Sequence, residues 1–275
     1  MKKLKRSGRL VDMTNFLLNH PNQLIPLHHF AERYAAARSS ISEDLAIVKE
    51  IFESEQMGYL TTVPGVSGGV RYEPAVSDGE AETLVDRLCR RLEEPDRLLP
   101  GGYLYMMDIL GQPGWLNEIG RLLAGIYRGE NIDVVMTMAT KGIPLAYAVA
   151  ACVDAPICIA RRDHRVTEGS VVSINYVSGS ANRVQTMSLA RRSIPEGSNV
   201  LIVDDFMKGG GTARGMSELL TEVNARLAGI AVLVEAHRRE RLIDDYISLV
   251  RLDEVNEKEK QIKATPGNYT KYLFS

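Results

Sequence analysis

A chain of 275 residues, 45% hydrophobic and 25% charged, can bury a core of one large domain or two, and wholesale disorder is excluded. A net charge of −2 excludes a surface that is basic all over. No apolar run reaches the roughly 20 residues of a membrane helix, because Asp154 interrupts the nearest, Pro144–Ala160; Cys89, Cys152 and Cys158 show no C-x-x-C spacing, so neither a disulfide framework nor a zinc site is expected and a reducing cytoplasm fits.

The charge is unevenly spread. Residues 1–40 carry seven basic and two acidic side chains, net +5, which leaves −7 on the remainder. A basic module on an acidic body is one reading and a solvated basic terminus the other. No signal-type apolar segment follows the basic terminus.

Residues 1–73 read as three short helices and a hairpin. Leu10, Met13 and Leu17 share one face of a helix over Ser7–Asn19, which Pro21 ends. A second helix begins near Pro26, with Leu27, Phe30, Ala31 and Tyr34 in phase. Ser40-Ile41-Ser42-Glu43 has capping-box spacing and predicts the start of a third, whose apolar face is Leu45, Val48, Ile51 and Phe52. Two β-prone runs, Tyr59–Val63 and Val70–Glu73, then flank a Pro/Gly/Ser turn. Together these make a winged helix-turn-helix. In that arrangement the third helix enters the DNA major groove and its first turn meets bases and phosphates. The expected DNA contacts are therefore Arg38, Ser39, Ser40 and Ser42 at that turn, Arg71 in the wing, and Lys2, Lys3, Lys5 and Arg6 at the terminus. A winged helix used only for protein contacts is the alternative.

Residues 74–275 form the second predicted domain, entered through a polar link over 74–80. Helices are expected at Glu82–Glu94, Trp115–Tyr127, Ile143–Ala151 and Gly211–Arg226. Strands are expected within Gly101–Asp108 and at Asp133–Met138, Ile157–Ala160, Asn199–Val203 and Gly229–Val234, with a hairpin inside Arg161–Ser198. Such alternation predicts an α/β fold with a doubly wound parallel sheet. Ligands in these sheets sit beyond the carboxyl ends of the strands, so the loops at 139–142, 161–169 and 204–212 draw attention.

The last of these loops reads D-D-F-M-K-G-G-G-T. It is no P-loop, since no lysine follows the glycines, and no dinucleotide fingerprint, since the sixth residue from Gly209 is Arg214. A magnesium carboxylate pair would leave the glycines unexplained. A sugar joined to a phosphate explains both halves. Asp204 and Asp205 can accept hydrogen bonds from vicinal hydroxyls, while amides at a helix amino terminus and the Thr212 hydroxyl hold the anion.

This stretch resembles the signature of the type I phosphoribosyltransferases, and the resemblance extends through residues 84–275. It implies that Asp204 and Asp205 hold ribose, that Gly209, Gly210, Gly211 and Thr212 hold its 5-phosphate, and that Thr140, Lys141 and Gly142 hold the diphosphate of phosphoribosyl pyrophosphate (PRPP). It further implies that Arg161 and Arg162 reach that diphosphate, that 161–198 is the family's flexible loop, and that Mg²⁺ bridges ribose hydroxyls and pyrophosphate. Two positions depart from the pattern: Lys208 replaces a small residue and Gly209 a Thr or Ser. A cation about 4 Å from a ribose that develops positive charge costs roughly 4 kcal/mol at an effective dielectric of 20, or around three powers of ten in rate. The site is therefore expected to bind PRPP without turning it over; a solvent-facing Lys208 with surviving catalysis is the alternative.

With S-S-I-S-E-D-L, M-A-T-K-G-I-P-L-A-Y-A-V-A, V-T-E-G-S-V-V-S-I-N-Y-V-S-G-S and the glycine loop, the whole chain is similar to the purine operon repressors of Gram-positive bacteria. That resemblance implies a DNA-binding homodimer, PRPP as inducer, guanosine tetraphosphate competing for the same pocket, and no catalysis. Phe206, Lys208 and Tyr103 are candidates for purine-ring or polyphosphate contacts. A working purine phosphoribosyltransferase with an N-terminal dimerisation domain is the second reading. Of the histidines, His28-His29 is read as surface; Asp244-Asp245 is read as a solvated helix face; and 254–264 mixes charges without a motif.

Overall fold

In a computed structural model, described for residues 4–65, 68–100, 103–163, 169–178, 183–237 and 241–273, the chain divides into two units. One comprises Met1–Ser77 with Ala151–Asp154; the other comprises Asp78–Ala150 with Ala155–Ser275.

In the first unit, α1 (Arg6–Leu18), β1 (Ile25–Pro26), α2 (Leu27–Tyr34), α3 (Arg38–Ser54), β2 (Gly58–Val63) and β3 (Gly69–Pro74) follow one another. The predicted faces meet in one core: Met13 and Leu17, Phe30 and Tyr34, and Ile41, Leu45, Val48 and Phe52, closed by Leu60, Val70 and Tyr72 from the hairpin. The two wing strands pair antiparallel, and β1 adds a third strand beside β3. Two expectations fail. The capping box does not form: α3 starts at Arg38 behind Ala37, without a side-chain cap, so Ser40 lies inside the helix and the Ser42 hydroxyl bonds the Arg38 carbonyl at 3.0 Å. The cause is the tight turn before it, where Ala35 adopts a left-handed conformation (φ 49°) and leaves only two residues before helical geometry resumes. Ile51 is 49% exposed rather than buried, and its place is taken by Ile41.

The second unit contains α4 (Asp78–Leu92), β4 (Leu98–Leu99), β5 (Tyr103–Leu104), α5 (Met107–Leu110), α6 (Pro113–Ile126), β6 (Val134–Met138), α7 (Gly142–Val153) and β7 (Ile157–Ala160). It continues with β8 (Val171–Ser178), β9 (Arg183–Ala190), β10 (Asn199–Met207), α8 (Gly211–Glu222), β11 (Arg226–Ala236), β12 (Ile247–Asn256), β13 (Gln261–Pro266) and α9 (Thr270–Leu273). Six strands form the central sheet in the order β13-β12-β11-β10-β6-β7, parallel except for β13. Its strands are apolar on both faces, as in Val134–Met138 and Val200–Val203, because helices or the β8–β9 hairpin cover it.

Several differences from the expected pattern have physical causes. The described part of the run 101–108, residues 103–108, gives no strand of the central sheet. Leu104 and Met106 are buried while Tyr103, Tyr105 and Met107 are exposed, so it has one face to bury and forms a two-stranded ribbon with Leu98–Leu99. The link at 74–80 is shorter than expected, because α4 already begins at Asp78. Strand β10 runs past Val203, and the two acids lie on it, Asp204 opposite Val232 of β11. Strands β12 and β13 extend the sheet beyond the predicted end, and Asp244-Asp245 sits in the exposed loop before β12 rather than on a helix.

Candidate functional site

Strand β6 is followed in sequence by β7 on one side of it, whereas β10 lies on its other side and leads on to β11. The connections after β6 and β10 therefore part from each other, which opens a crevice at the carboxyl ends of these strands. Two of the three loops picked out from the sequence, 139–142 and 204–212, lie there, with the described start of the third, 161–163.

The acids come first. Asp204 is 8% exposed, and its Oδ1 accepts the Asp205 amide at 3.0 Å. Burial, and then the neighbouring Asp205 charge, push its carboxyl well above the usual carboxylate range. Burial raises Asp205 as well, with the Asp204 side chain and Lys141 pulling the other way. Two carboxylates in low dielectric share protons until donors or a cation arrive. What the pair lacks is what a vicinal diol or a divalent cation brings, so the residues present fit a sugar with Mg²⁺.

The anion nest follows within a few residues. Gly210 is the N-cap of α8 at φ 80°, ψ 0°, a left-handed conformation that suits glycine, and no side chain caps the helix. The first-turn amides, those of Gly211, Thr212 and Ala213, have no carbonyl within the helix to donate to, and the helix dipole favours an anion there.

The loop after β6 is shaped by one close approach. A Cβ added at Gly142 would fall 2.3 Å from the Thr137 hydroxyl oxygen and 2.8 Å from Asp204 Oδ1, so only glycine lets the start of α7 approach β6 and β10 this closely. Gly142 is buried and does not itself line the cleft, whereas its neighbours Thr140 and Lys141 are exposed and do. The Thr137 hydroxyl is fully buried without a hydrogen-bond partner.

The structure brings most of the expected residues together. One lobe of the cleft, about 430 Å³, is lined by Thr140, Lys141, Arg161, Asp204, Asp205, Phe206 and Thr212. A second, of about 680 Å³, shares Lys141, Asp204–Phe206 and Thr212 and adds Tyr103, Lys208 and Gly209–Gly211. Lys208 is exposed on this second lobe, and Tyr103 is 70% exposed at its rim. The backbone of Arg161 bridges to that of Ser188 on β9, which ties the start of this loop to the hairpin. Arg162 and Asp163 line the first lobe too, and Met106, His237, Asp253 and Glu257 line the second. Asp253 on β12 and Glu257 in the turn after it are not expected from the sequence, which assigns no strand there; the apolar spacing of Tyr246–Leu252 is the signal that marks one.

The expected DNA contacts divide. Arg38, Ser39 and Ser42 are exposed on the first turn of α3, Ser40 is half-buried, and Lys5 is exposed at the start of α1. Arg71 in β3 is half-buried. Arg6 is exposed at the start of α1; its Nε donates to Asp44 Oδ1 at 3.0 Å, beside Arg9, whose Nε donates to Oδ2 at 2.9 Å. Asp44 is wholly buried, and a carboxylate there requires such partners. Lys2 and Lys3 lie outside the described residues. His28 is exposed, as expected, but His29 is half-buried, its ring 4.8 Å from Phe16.

No helix among the described residues is long and apolar enough to cross a membrane. Residues 5–74 match the family model of the N-terminal domain of the bacterial purine repressor, and residues 107–266 match the phosphoribosyl transferase domain. The adenine phosphoribosyltransferase of Rhodothermus marinus superposes with a TM-score of 0.54 at 21% identity, covering 62% of this chain and 99% of that one, a likeness of fold. The xanthine phosphoribosyltransferase of Clostridioides difficile is 32% identical over 123 residues, 44% of this chain and 65% of that protein. The purine biosynthesis transcriptional activator PurR of Lactococcus lactis is 48% identical over 96% of this chain and 98% of its own. The purine biosynthesis transcriptional repressor PurR of Bacillus subtilis is 58% identical over 272 residues, 98% of this chain and 95% of its own. With a winged helix, a phosphoribosyltransferase-type sheet and relatives that match along nearly its whole length, the chain belongs to the bacterial purine repressor family.

Proposed function

We propose that the protein is a DNA-binding transcriptional repressor of purine biosynthesis genes whose phosphoribosyltransferase-type domain senses PRPP without consuming it. The observation that carries this is the buried acid pair of β10 opening directly onto the uncapped amino terminus of α8, in a chain that begins with a winged helix. Asp204 and Asp205 accept the ribose hydroxyls, the Gly209–Thr212 loop holds the 5-phosphate, and Thr140, Lys141 and Arg161 face the diphosphate. Asp204 and Asp205 would hold Mg²⁺, which would supply positive charge to offset that of the diphosphate. Guanosine tetraphosphate offers the same anionic groups and competes for the cleft, with Phe206 and Tyr103 available to a purine ring. The protein acts in the cytoplasm as a homodimer, and PRPP weakens DNA binding by binding one arrangement of that dimer better than another. Repression rather than activation follows the relative of higher identity, 58% against 48%.

An active purine phosphoribosyltransferase is the second reading, favoured by the identity to the xanthine enzyme. Against it stands Lys208, a cation on a loop that lines the cleft, where transfer would need negative charge. Two experiments decide. A gel shift on a purine-operon promoter should weaken when PRPP and Mg²⁺ are added; indifference to PRPP removes the sensing function. Incubation with PRPP, Mg²⁺ and each purine base should release no pyrophosphate; appreciable release establishes the enzyme.

A further inference from the structure

In the segment between β11 and β12, the described residues 241–246 line neither lobe of the cleft, yet they are tied to the phosphate cradle. The Leu242 amide donates to the Gly209 carbonyl at 3.1 Å. A Cβ at Gly210 would meet the Ile243 amide nitrogen at 3.3 Å. The backbone of Leu242 and Ile243 is thus the wall behind the glycine loop.

A buried carboxylate holds that wall. Glu235, the penultimate residue of β11, is 4% exposed and pairs in register with Met207, the last residue of β10. It accepts the Tyr246 hydroxyl at 2.6 Å and the Ser248 hydroxyl at 2.7 Å, and it is ion-paired with Arg241. Arg241 also donates to the Ala236 carbonyl at 3.0 Å, and its guanidinium lies 5.1 Å from the Tyr246 ring centroid. A buried charge with two hydroxyl donors and one cation is satisfied, and losing the cation leaves it stranded. Arg241 directly precedes Leu242, so the ion pair sets where the Leu242 amide sits. Glu235, Arg241, Tyr246 and Ser248 line neither lobe of the cleft.

The geometry points to Glu235 and Arg241 as positioning residues for the 5-phosphate subsite: their ion pair holds Leu242–Ile243 against Gly209–Gly210 and so aims the amides of α8. This rests on the reading that the glycine loop takes a sugar phosphate. The amides are aimed before ligand arrives, so the pair acts on affinity at that subsite and not at the diphosphate subsite formed by the loop after β6.

The test is calorimetric titration of the full-length protein with ribose 5-phosphate and, separately, with pyrophosphate. Arg241→Ala and Glu235→Gln should weaken ribose 5-phosphate about tenfold, the range seen for residues that act without touching ligand, and leave pyrophosphate within about twofold. Arg241→Lys should recover part of the loss. Tyr246→Phe removes one donor without stranding a charge. It should weaken ribose 5-phosphate alone by a few-fold, which decides the matter if the harsher variants do not fold. Equal ribose 5-phosphate affinity in wild type and variants, or loss of both ligands together, overturns the inference. A wild-type protein that binds neither ligand refutes the effector reading, and this inference with it.

Discussion

Gly142→Ala is the most demanding test of the cleft. Helix propensity alone favours alanine at the first residue of α7 by about 0.5–1 kcal/mol. The structure opposes it. The new methyl would sit 2.3 Å from the Thr137 hydroxyl oxygen and 2.8 Å from Asp204 Oδ1, far inside ordinary contact. Neither neighbour can step aside: Thr137 is on the central strand β6 at 0% exposure and Asp204 on β10 at 8%. Overpacking of this kind costs about 1–3 kcal/mol, and contact this short belongs at the upper end. The net loss is then roughly 2 kcal/mol, or a Tm about 4–8 °C lower for a chain of this size. Effector affinity should fall further, because the displaced loop carries Thr140 and Lys141 away from the acids. Thermal unfolding by circular dichroism and PRPP calorimetry measure the two effects. Thr137→Ala in the same chain removes the hydroxyl and should return part of both, so the double-mutant cycle should show a coupling of about 1 kcal/mol. A variant that melts and binds like wild type would refute the close packing and the role given to this loop.

Asp204→Asn should raise the Tm of the ligand-free protein while abolishing its PRPP response. Because the folded-state pKa of Asp204 is raised, the protonated carboxyl is tolerated at low pH. The wild type then loses stability relative to Asn as pH climbs from about 4 through the folded pKa. Melting curves from pH 4 to 8 should therefore diverge with increasing pH, and curves that stay parallel would show that the pair is not buried as described. Asp44→Ala strands Arg9, whose side chain is 16% exposed, and should destabilise the winged helix by about 3 kcal/mol, which limited proteolysis would report as early cleavage within residues 4–74. Arg38→Ala should weaken DNA binding and reduce the slope of log affinity against log salt by about 1; an unchanged slope would remove Arg38 from the interface.

The acid pair and the glycine loop could be read from the chain alone, because each is a contiguous stretch whose chemistry is carried by neighbours in sequence. The same holds for strands whose apolar runs are unbroken, such as Val134–Met138 and Val200–Val203. Tertiary structure decided the rest. Whether a serine caps α3 depends on how tightly the Ala35 turn delivers the chain. That Arg6 shares the buried Asp44, thirty-eight residues away, with Arg9 could not be read from the sequence; folding brings its Nε within 3.0 Å of that carboxylate. Strand β12 is buried over Ile247–Val250 and β13 alternates exposed and buried residues, but charges break both runs, and only the pairing of β12 with β11 and of β13 with β12 makes them strands of the sheet. Gly142 reads as a ligand-facing loop residue, yet Thr137 and Asp204, from two different strands, meet at its α-carbon. Local sequence specifies which groups are present; only long-range pairing specifies which groups share a burial site, and in low dielectric that sharing determines their charge, their partners and what they can bind.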